Sequence, residues 1–188
     1  MSSGLKYWGH LDLGPGKYAV RTLVRNAVTG ESSLSVSAVE VPDRAAGDGG
    51  LLPPFFPEQP NKWVLARETE DEQRADVGFP FLMGEQPFLP AARPVLAKGD
   101  QTISLAGYDL GEGSLSLSTQ LYTPQGEMVD GGKIELVERT PAGDGFERLT
   151  ATFNPGKLPK GEYLLMVTVS DLAGGAEHTS STRVFVEG

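Results

Sequence analysis

The sequence predicts an all-β protein: an immunoglobulin-like or fibronectin-III-like β-sandwich over about residues 93–188, preceded by the closing strands of a second, incomplete sandwich. Three observations lead there. First, Leu13-Gly-Pro-Gly16-Lys-Tyr18 returns as Leu158-Pro-Lys-Gly161-Glu-Tyr163, each time ahead of an alternating strand. At an offset of 145, residues 13–43 and 158–188 share eight identities: Leu13/Leu158, Gly16/Gly161, Tyr18/Tyr163, Val24/Val169, Gly30/Gly175, Ser35/Ser180, Val39/Val184 and Val41/Val186. Ordinary residue frequencies would give roughly two by chance. Second, Leu-x-x-Gly-x-Tyr before a strand is the signature of a tyrosine corner, in which the phenol hydroxyl returns to main chain and the Gly supplies a bend that a Cβ would strain. Third, 24 Gly and 14 Pro against 39% hydrophobic residues fit many short strands joined by tight turns rather than long helices.

Residues 1–42 are expected to be the terminal strands and hairpin of the incomplete module. Tyr18, Val20, Thr22 and Val24 alternate with Ala19, Arg21, Leu23 and Arg25, as a half-buried antiparallel strand does. Asn26-Ala-Val-Thr-Gly30 supplies the turn, and Leu34, Val36 and Ala38, then Val39 and Val41, form the return strand. The phase shift at Val39 suggests a one-residue bulge. A lone hairpin is marginal in water, so it needs later parts of this chain, another copy, or strands from elsewhere.

Residues 43–60 read as a Pro/Gly-rich linker, flexible over Ala45–Gly50 and stiff over Pro53-Pro-Phe-Phe-Pro57. Within it Phe55 and Phe56 would be exposed unless the chain buries them. Residues 61–92 read as an irregular β segment packing on the sandwich. Trp63–Arg67 is a short strand, and Phe79-Pro-Phe-Leu82 and Gln86-Pro-Phe-Leu89 flank a tight hairpin. Their prolines restrict them to sheet edges.

From residue 93 the pattern becomes regular. Seven strands are expected: Pro94–Ala97, Thr102–Tyr108, Ser114–Tyr122, Lys133–Arg139, Phe146–Phe153, Glu162–Asp171 and Glu177–Val186. Turn residues at 98–100, 111–113, 124–126, 143–145 and 171–175 separate them. Leu158 and Tyr163 should anchor the core. The strand from Lys133 is the least one-sided.

No catalytic, cofactor-binding or metal-ligating residue emerges, and the chain does not read as an enzyme. His10 and His178 occupy non-equivalent positions of the repeat and fit surface imidazoles. His-Glu-x-x-His and Gly-x-Ser-x-Gly are missing. Gly111-Glu-Gly113 and Gly131-Gly132 are turn glycines rather than a phosphate loop. Without cysteine there are no disulfides, thiol nucleophiles or cysteine zinc sites. A carboxylate pair could serve a glycosidase, but a short-looped sandwich offers little cleft. The acidic loop 68–76 lacks the spaced oxygen ligands and central Gly of a calcium loop. A net charge of −9 without a basic run argues against nucleic acid, and no segment is long and apolar enough to span a membrane.

The functional candidates are aromatic. Tyr7, Trp8, Phe55 and Phe56 form the candidate interaction surface, with Trp63 and Tyr122 as further rings able to stack on sugar or anchor a protein. Core packing is the expected role of Trp63. Leu13, Gly16, Tyr18, Leu158, Gly161 and Tyr163 are the structural corners. Met1-Ser-Ser-Gly4 leads into Tyr7 without the apolar core of a signal peptide, so the chain reads as a segment of a longer protein with any export signal upstream.

Tyr18-Ala-Val-Arg-Thr-Leu-Val-Arg-Asn26, Thr29-Gly30, Val39-Glu-Val-Pro-Asp43 and the run Phe79–Leu96 resemble the β-rich region after the von Willebrand factor A-like domain in bacterial VWFA-related proteins of the Acidobacteria type. The A-like domain itself has no counterpart here, because no Asp-x-Ser-x-Ser metal motif occurs. The resemblance implies a non-catalytic structural or protein-interaction module of an exported envelope protein, extracytoplasmic in location. Its partner would be another protein or a neighbouring domain of the same polypeptide, or a second copy through the edge of the N-terminal hairpin. The alternative is a carbohydrate-binding module that takes polysaccharide on its surface aromatics.

Overall fold

The computed structural model describes residues 4–43, 49–58, 63–67, 80–83, 85–129, 132–143 and 145–187. Among these residues there is no helix, and the sheets do not close into a barrel. The chain divides into two units, Met1–Trp8 with Gly49–Gly188, and Gly9–Asp48. Strand β1 (Gly4–Trp8) belongs to the first unit, while β2 (Gly16–Arg25) and β3 (Ser32–Val41) make up the second. The first unit resumes with four short strands, β4 (Gly50–Leu51), β5 (Trp63–Arg67), β6 (Leu82–Met83) and β7 (Gln86–Pro87). Long strands follow: β8 (Gln101–Tyr108), β9 (Leu115–Tyr122), the short β10 (Met128–Val129), β11 (Lys133–Gly143), β12 (Phe146–Asn154), β13 (Gly161–Asp171) and β14 (Glu177–Val186).

Two four-stranded sheets carry the first unit, in the orders β11-β12-β8-β4 and β10-β9-β13-β14. These are the D-E-B-A and C′-C-F-G orders of an immunoglobulin-like sandwich. Side-chain alternation dictates the inner faces. Along β13, Tyr163, Leu165, Val167, Val169 and Asp171 are buried, while their neighbours are partly or fully exposed. Ile103 and Leu105 of β8 and Leu149, Ala151 and Phe153 of β12 face them from the other sheet, in one continuous core with Leu121 and Val184. Each large apolar side chain so enclosed contributes roughly 1.5–3 kcal/mol.

The first strand of the sandwich lies in the stretch expected as a linker. Gly50 and Leu51 pair with Tyr108 and Gly107, and Phe55 exchanges backbone hydrogen bonds with Ser104 at 2.8 and 2.9 Å. An edge strand tolerates Pro53 and Pro54 because its outer side makes no ladder bonds. Phe56, only 4% exposed, turns into the core against Phe153. The chain then leaves the sheet and returns, and the base of this excursion is closed by Glu58 N–H to Leu89 O and Ala91 N–H to Phe56 O, both 2.7 Å. On its return, Pro94–Leu96 joins the opposite sheet, parallel to β14: Leu96 N–H donates to Phe185 O and Phe185 N–H to Pro94 O. The expected strand Pro94–Ala97 is thus the second half of a first strand that changes sheets.

Two local expectations change. Pairing of β2 with β3 runs without interruption from Gly16↔Val41 to Arg25↔Ser32, so there is no bulge at Val39. The apolar residues instead switch faces along β3. Register shifts sit instead in β11, one between Pro141 and Gly143 and one where Leu136 pairs with Ala151 and Glu138 with Thr150, leaving Val137 unpaired and 64% exposed. Residues 4–8 leave the N-terminal module altogether, because β1 pairs in parallel with β5, from Gly4↔Trp63 to Trp8↔Arg67.

Candidate interaction surface

The hairpin β2–β3 reproduces the β13–β14 hairpin residue for residue at the offset of 145. Tyr18 faces Val39 as Tyr163 faces Val184, and Gly16 faces Val41 as Gly161 faces Val186. The turns close alike. Gly30 N–H donates to Asn26 O at 2.8 Å, and Gly175 N–H to Asp171 O at 2.9 Å. Val28 N–H reaches Asn26 Oδ1 and Ala173 N–H reaches Asp171 Oδ1, each at 2.9 Å. Both turns end on a glycine with positive φ, 76° at Gly30 and 72° at Gly175, where a β-carbon would be strained. The phenol hydroxyls of Tyr18 and Tyr163 donate to Gly14 O and Pro159 O respectively.

The corner glycines are less alike than their sequence suggests. Gly16 has φ 153°, which disfavours a side chain, but Gly161 has no positive φ and a β-carbon there would stand 3.6 Å from the Tyr163 ring, an ordinary contact. Leu13 and Leu158 are both half-buried beside their corners.

What surrounds the two hairpins differs completely. In the sandwich, β9 pairs along the outer edge of β13 and the opposite sheet covers its inner face, so Val169 and Val184 are fully buried. In the second unit β2 and β3 form a two-stranded sheet by themselves. The counterparts of those valines, Val24 and Val39, are 63% and 40% exposed. Tyr18 and Val20 are only half-buried. Across the other face, Leu23 stands opposite Leu34, both exposed, where the complete hairpin has Thr168 hydrogen-bonded to Thr179. The hairpin is therefore apolar on two faces.

The aromatic candidates disperse. Phe56 lies in the core, and Phe55 packs edge-on against Phe81, which packs on Phe88. Neither is a free ring, because the strand that carries them belongs to the sheet. Tyr7 is exposed on β1, and Trp8 at its end is half-buried. Trp63 has Gly4 against its ring and Lys6 Nζ at 4.8 Å from its centroid; Lys6 also reaches Glu58 Oε2 at 3.1 Å. The acidic loop 68–76 lies outside the described residues.

A polar cluster that sequence reasoning missed closes one end of the sandwich. The bulge at Val137 turns Arg139 inward, opposite the buried Leu149. Its guanidinium contacts both oxygens of Glu147, at 2.5 and 2.7 Å, and the carbonyls of Gly111 and Gly113. The hydrogen bonds that Arg139 donates to the Glu147 carboxylate raise its pKa above the ordinary value against the opposing cost of burial. Asp171 is buried beside it, and β-carbons at Gly111, Gly113 or Gly174 would collide with its carboxylate. Four acceptors around Arg139 and the Ala173 N–H on Asp171 Oδ1 tie the strand ends and turns of this end of the sandwich together.

Among the described residues no group of three or more metal-ligating side chains converges, and no helix is long and apolar enough to cross a membrane. Comparison with protein-family models and with curated proteins finds no match to this chain.

Proposed function

We propose that this chain is a non-catalytic structural and protein-interaction module in which β2–β3 serves as the last two strands of a second immunoglobulin-like sandwich, the remaining strands coming from a neighbouring segment. One observation carries this reading: β2–β3 has the register, turn and corner of β13–β14, yet the positions equivalent to its core valines face solvent. The internal copy indicates the cover such a hairpin takes, namely a strand along the β2 edge and an apolar sheet across Val20, Val24 and Val39. Among the described residues a second copy of the chain offers no spare sheet of that kind, because its own sandwich already holds a closing hairpin. The complement is therefore a sandwich remainder from a neighbouring domain. Membership of an exported bacterial envelope protein rests on the resemblance of Tyr18–Asn26 and Val39–Asp43 to the β-rich tails of VWFA-related proteins.

Site-specific photocrosslinking in the source cells tests the reading. A photoreactive residue at Val20 or Val24 is expected to attach to a β-sandwich segment identified by peptide mapping. The absence of any cross-link from both positions would sink the proposal.

A further inference from the structure

The end of the sandwich beside the Tyr163 corner holds a cavity of about 590 Å³, within the range of small-molecule sites. Its apolar wall comes from Leu96, Leu158 and Val186, and its rim carries Lys98, Lys157 and Lys160. No described residue forms an ion pair with any of these three lysines. The neighbouring acids are already engaged: Glu187 by Arg93 at 2.7 Å, and Asp100 by Asn154 Nδ2 at 2.6 Å. That second bond ties the 97–100 turn to the 154–160 loop, so the two walls are held together before anything binds.

The repeat supplies an internal control. The first copy keeps the framework of the corner, Leu13 for Leu158 and Val41 for Val186, but has Asp12 where Lys157 stands and Pro15 where Lys160 stands. The corner therefore forms without lysines, and Lys157 and Lys160 are features of the second copy alone. Three lysines lining one apolar cavity, without an ion-pair partner among the described residues, stand out on a chain with 25 acidic and 16 basic residues.

We infer that this cavity binds an amphipathic monoanion, a medium-chain aliphatic carboxylate. Its alkyl chain lies on Leu96, Leu158 and Val186, and its headgroup sits among the lysine ammoniums. The aliphatic lining, without an aromatic ring, favours an alkyl over an aryl body. A carboxylate headgroup can pair with the lysines that line this cavity, which a neutral ligand of the same length cannot do.

Amide chemical shifts of the full chain, titrated with octanoate, acetate and octyl glucoside, test this. Octanoate is expected to give saturable shifts at Lys98, Gly99 and Gly156–Leu158. Acetate has the charge without the chain and octyl glucoside the chain without the charge, so each should bind far more weakly. The exposed double substitution Lys157→Gln, Lys160→Gln leaves the apolar wall intact and should weaken octanoate roughly 3- to 10-fold, the scale of two partly screened ion pairs. Equal affinity for octanoate and octyl glucoside, shifts that map elsewhere, or an unchanged octanoate affinity in the double variant would each overturn the inference.

Discussion

Tyr18 and Tyr163 donate their hydroxyls to the carbonyl four residues earlier, Gly14 at 2.8 Å and Pro159 at 2.9 Å, yet only the Tyr163 ring is enclosed by a core. The corner bond is therefore a local property of the Leu-x-x-Gly-x-Tyr segment, while its contribution to stability depends on what packs against the ring. A hydrogen bond open to water exchanges one partner for another at little net gain, whereas a buried one avoids the cost of an orphaned group.

From this follows an asymmetry between two identical substitutions. Tyr163→Phe should lower the stability of the sandwich by about 1 kcal/mol, and Tyr163→Ala by roughly 3–5 kcal/mol through the cavity left beside Val184 and Leu165. Tyr18→Phe should leave the urea midpoint of the sandwich where it was. Equal losses at both tyrosines would mean that β2–β3 is covered as thoroughly as β13–β14.

Amide hydrogen exchange should separate the two hairpins residue by residue. Thr168 and Val169 sit in a ladder flanked on both sides, so their opening requires disruption of the sheet. Leu23 and Val24 are paired on one side only and belong to a two-stranded sheet, which has little independent stability. In the 188-residue chain, amides of β2 and β3 are expected to exchange orders of magnitude faster than their counterparts 145 residues later. Matching protection would show that something already covers the first hairpin.

The six long later strands, β8, β9 and β11 to β14, were legible because apolar residues recur along them and their turns are marked by Gly, Asp and Pro. Strand β13 shows this most plainly, since every second residue from Tyr163 to Asp171 is buried. The first strand was hidden for the opposite reason. Pro53-Pro-Phe-Phe-Pro57 has no alternation, and proline at a sheet edge reads the same as proline in a linker. Arg139 was hidden too, because a bulge is a mismatch between two strands and leaves no mark in either alone. The β1–β5 pair joins segments far apart in the chain through short parallel strands, which local pattern does not reveal.

Where the sandwich begins can be settled by truncation. A chain starting at Gly49 retains the strand through Phe55 and Phe56 and should unfold cooperatively with most of the parent stability. Starting at Lys62 instead removes Leu51 and Phe56 from the core and uncovers the edge of β8. That shorter chain should be unfolded or aggregated. Phe56→Ala in the full chain should cost roughly 3–5 kcal/mol, as expected for a buried ring. A stable, monomeric chain beginning at Lys62 would return residues 49–58 to the role of a linker.

The Arg139 cluster makes the sharpest demand on geometry, because four acceptors share one guanidinium. Arg139→Met keeps much of the stem but leaves the Glu147 carboxylate and the carbonyls of Gly111 and Gly113 without their donor. A loss of roughly 2–4 kcal/mol is expected, within the range for breaking one partner of a part-buried pair. Arg139→Lys should recover only part of this loss, since one ammonium cannot match a planar fork that reaches Glu147 and two carbonyls together. Gly113→Ala should also destabilise, since its β-carbon would collide with Asp171 Oδ1 and Ala173 Cβ. The Arg139 pKa is raised in the folded protein, so its contribution is fully present below its unfolded value. It is lost only as pH climbs through the folded value. Urea titrations of the parent and Arg139→Met at neutral and mildly alkaline pH should therefore give the same difference, and a difference that vanished by pH 9 would mean that the guanidinium is not what Glu147 is holding.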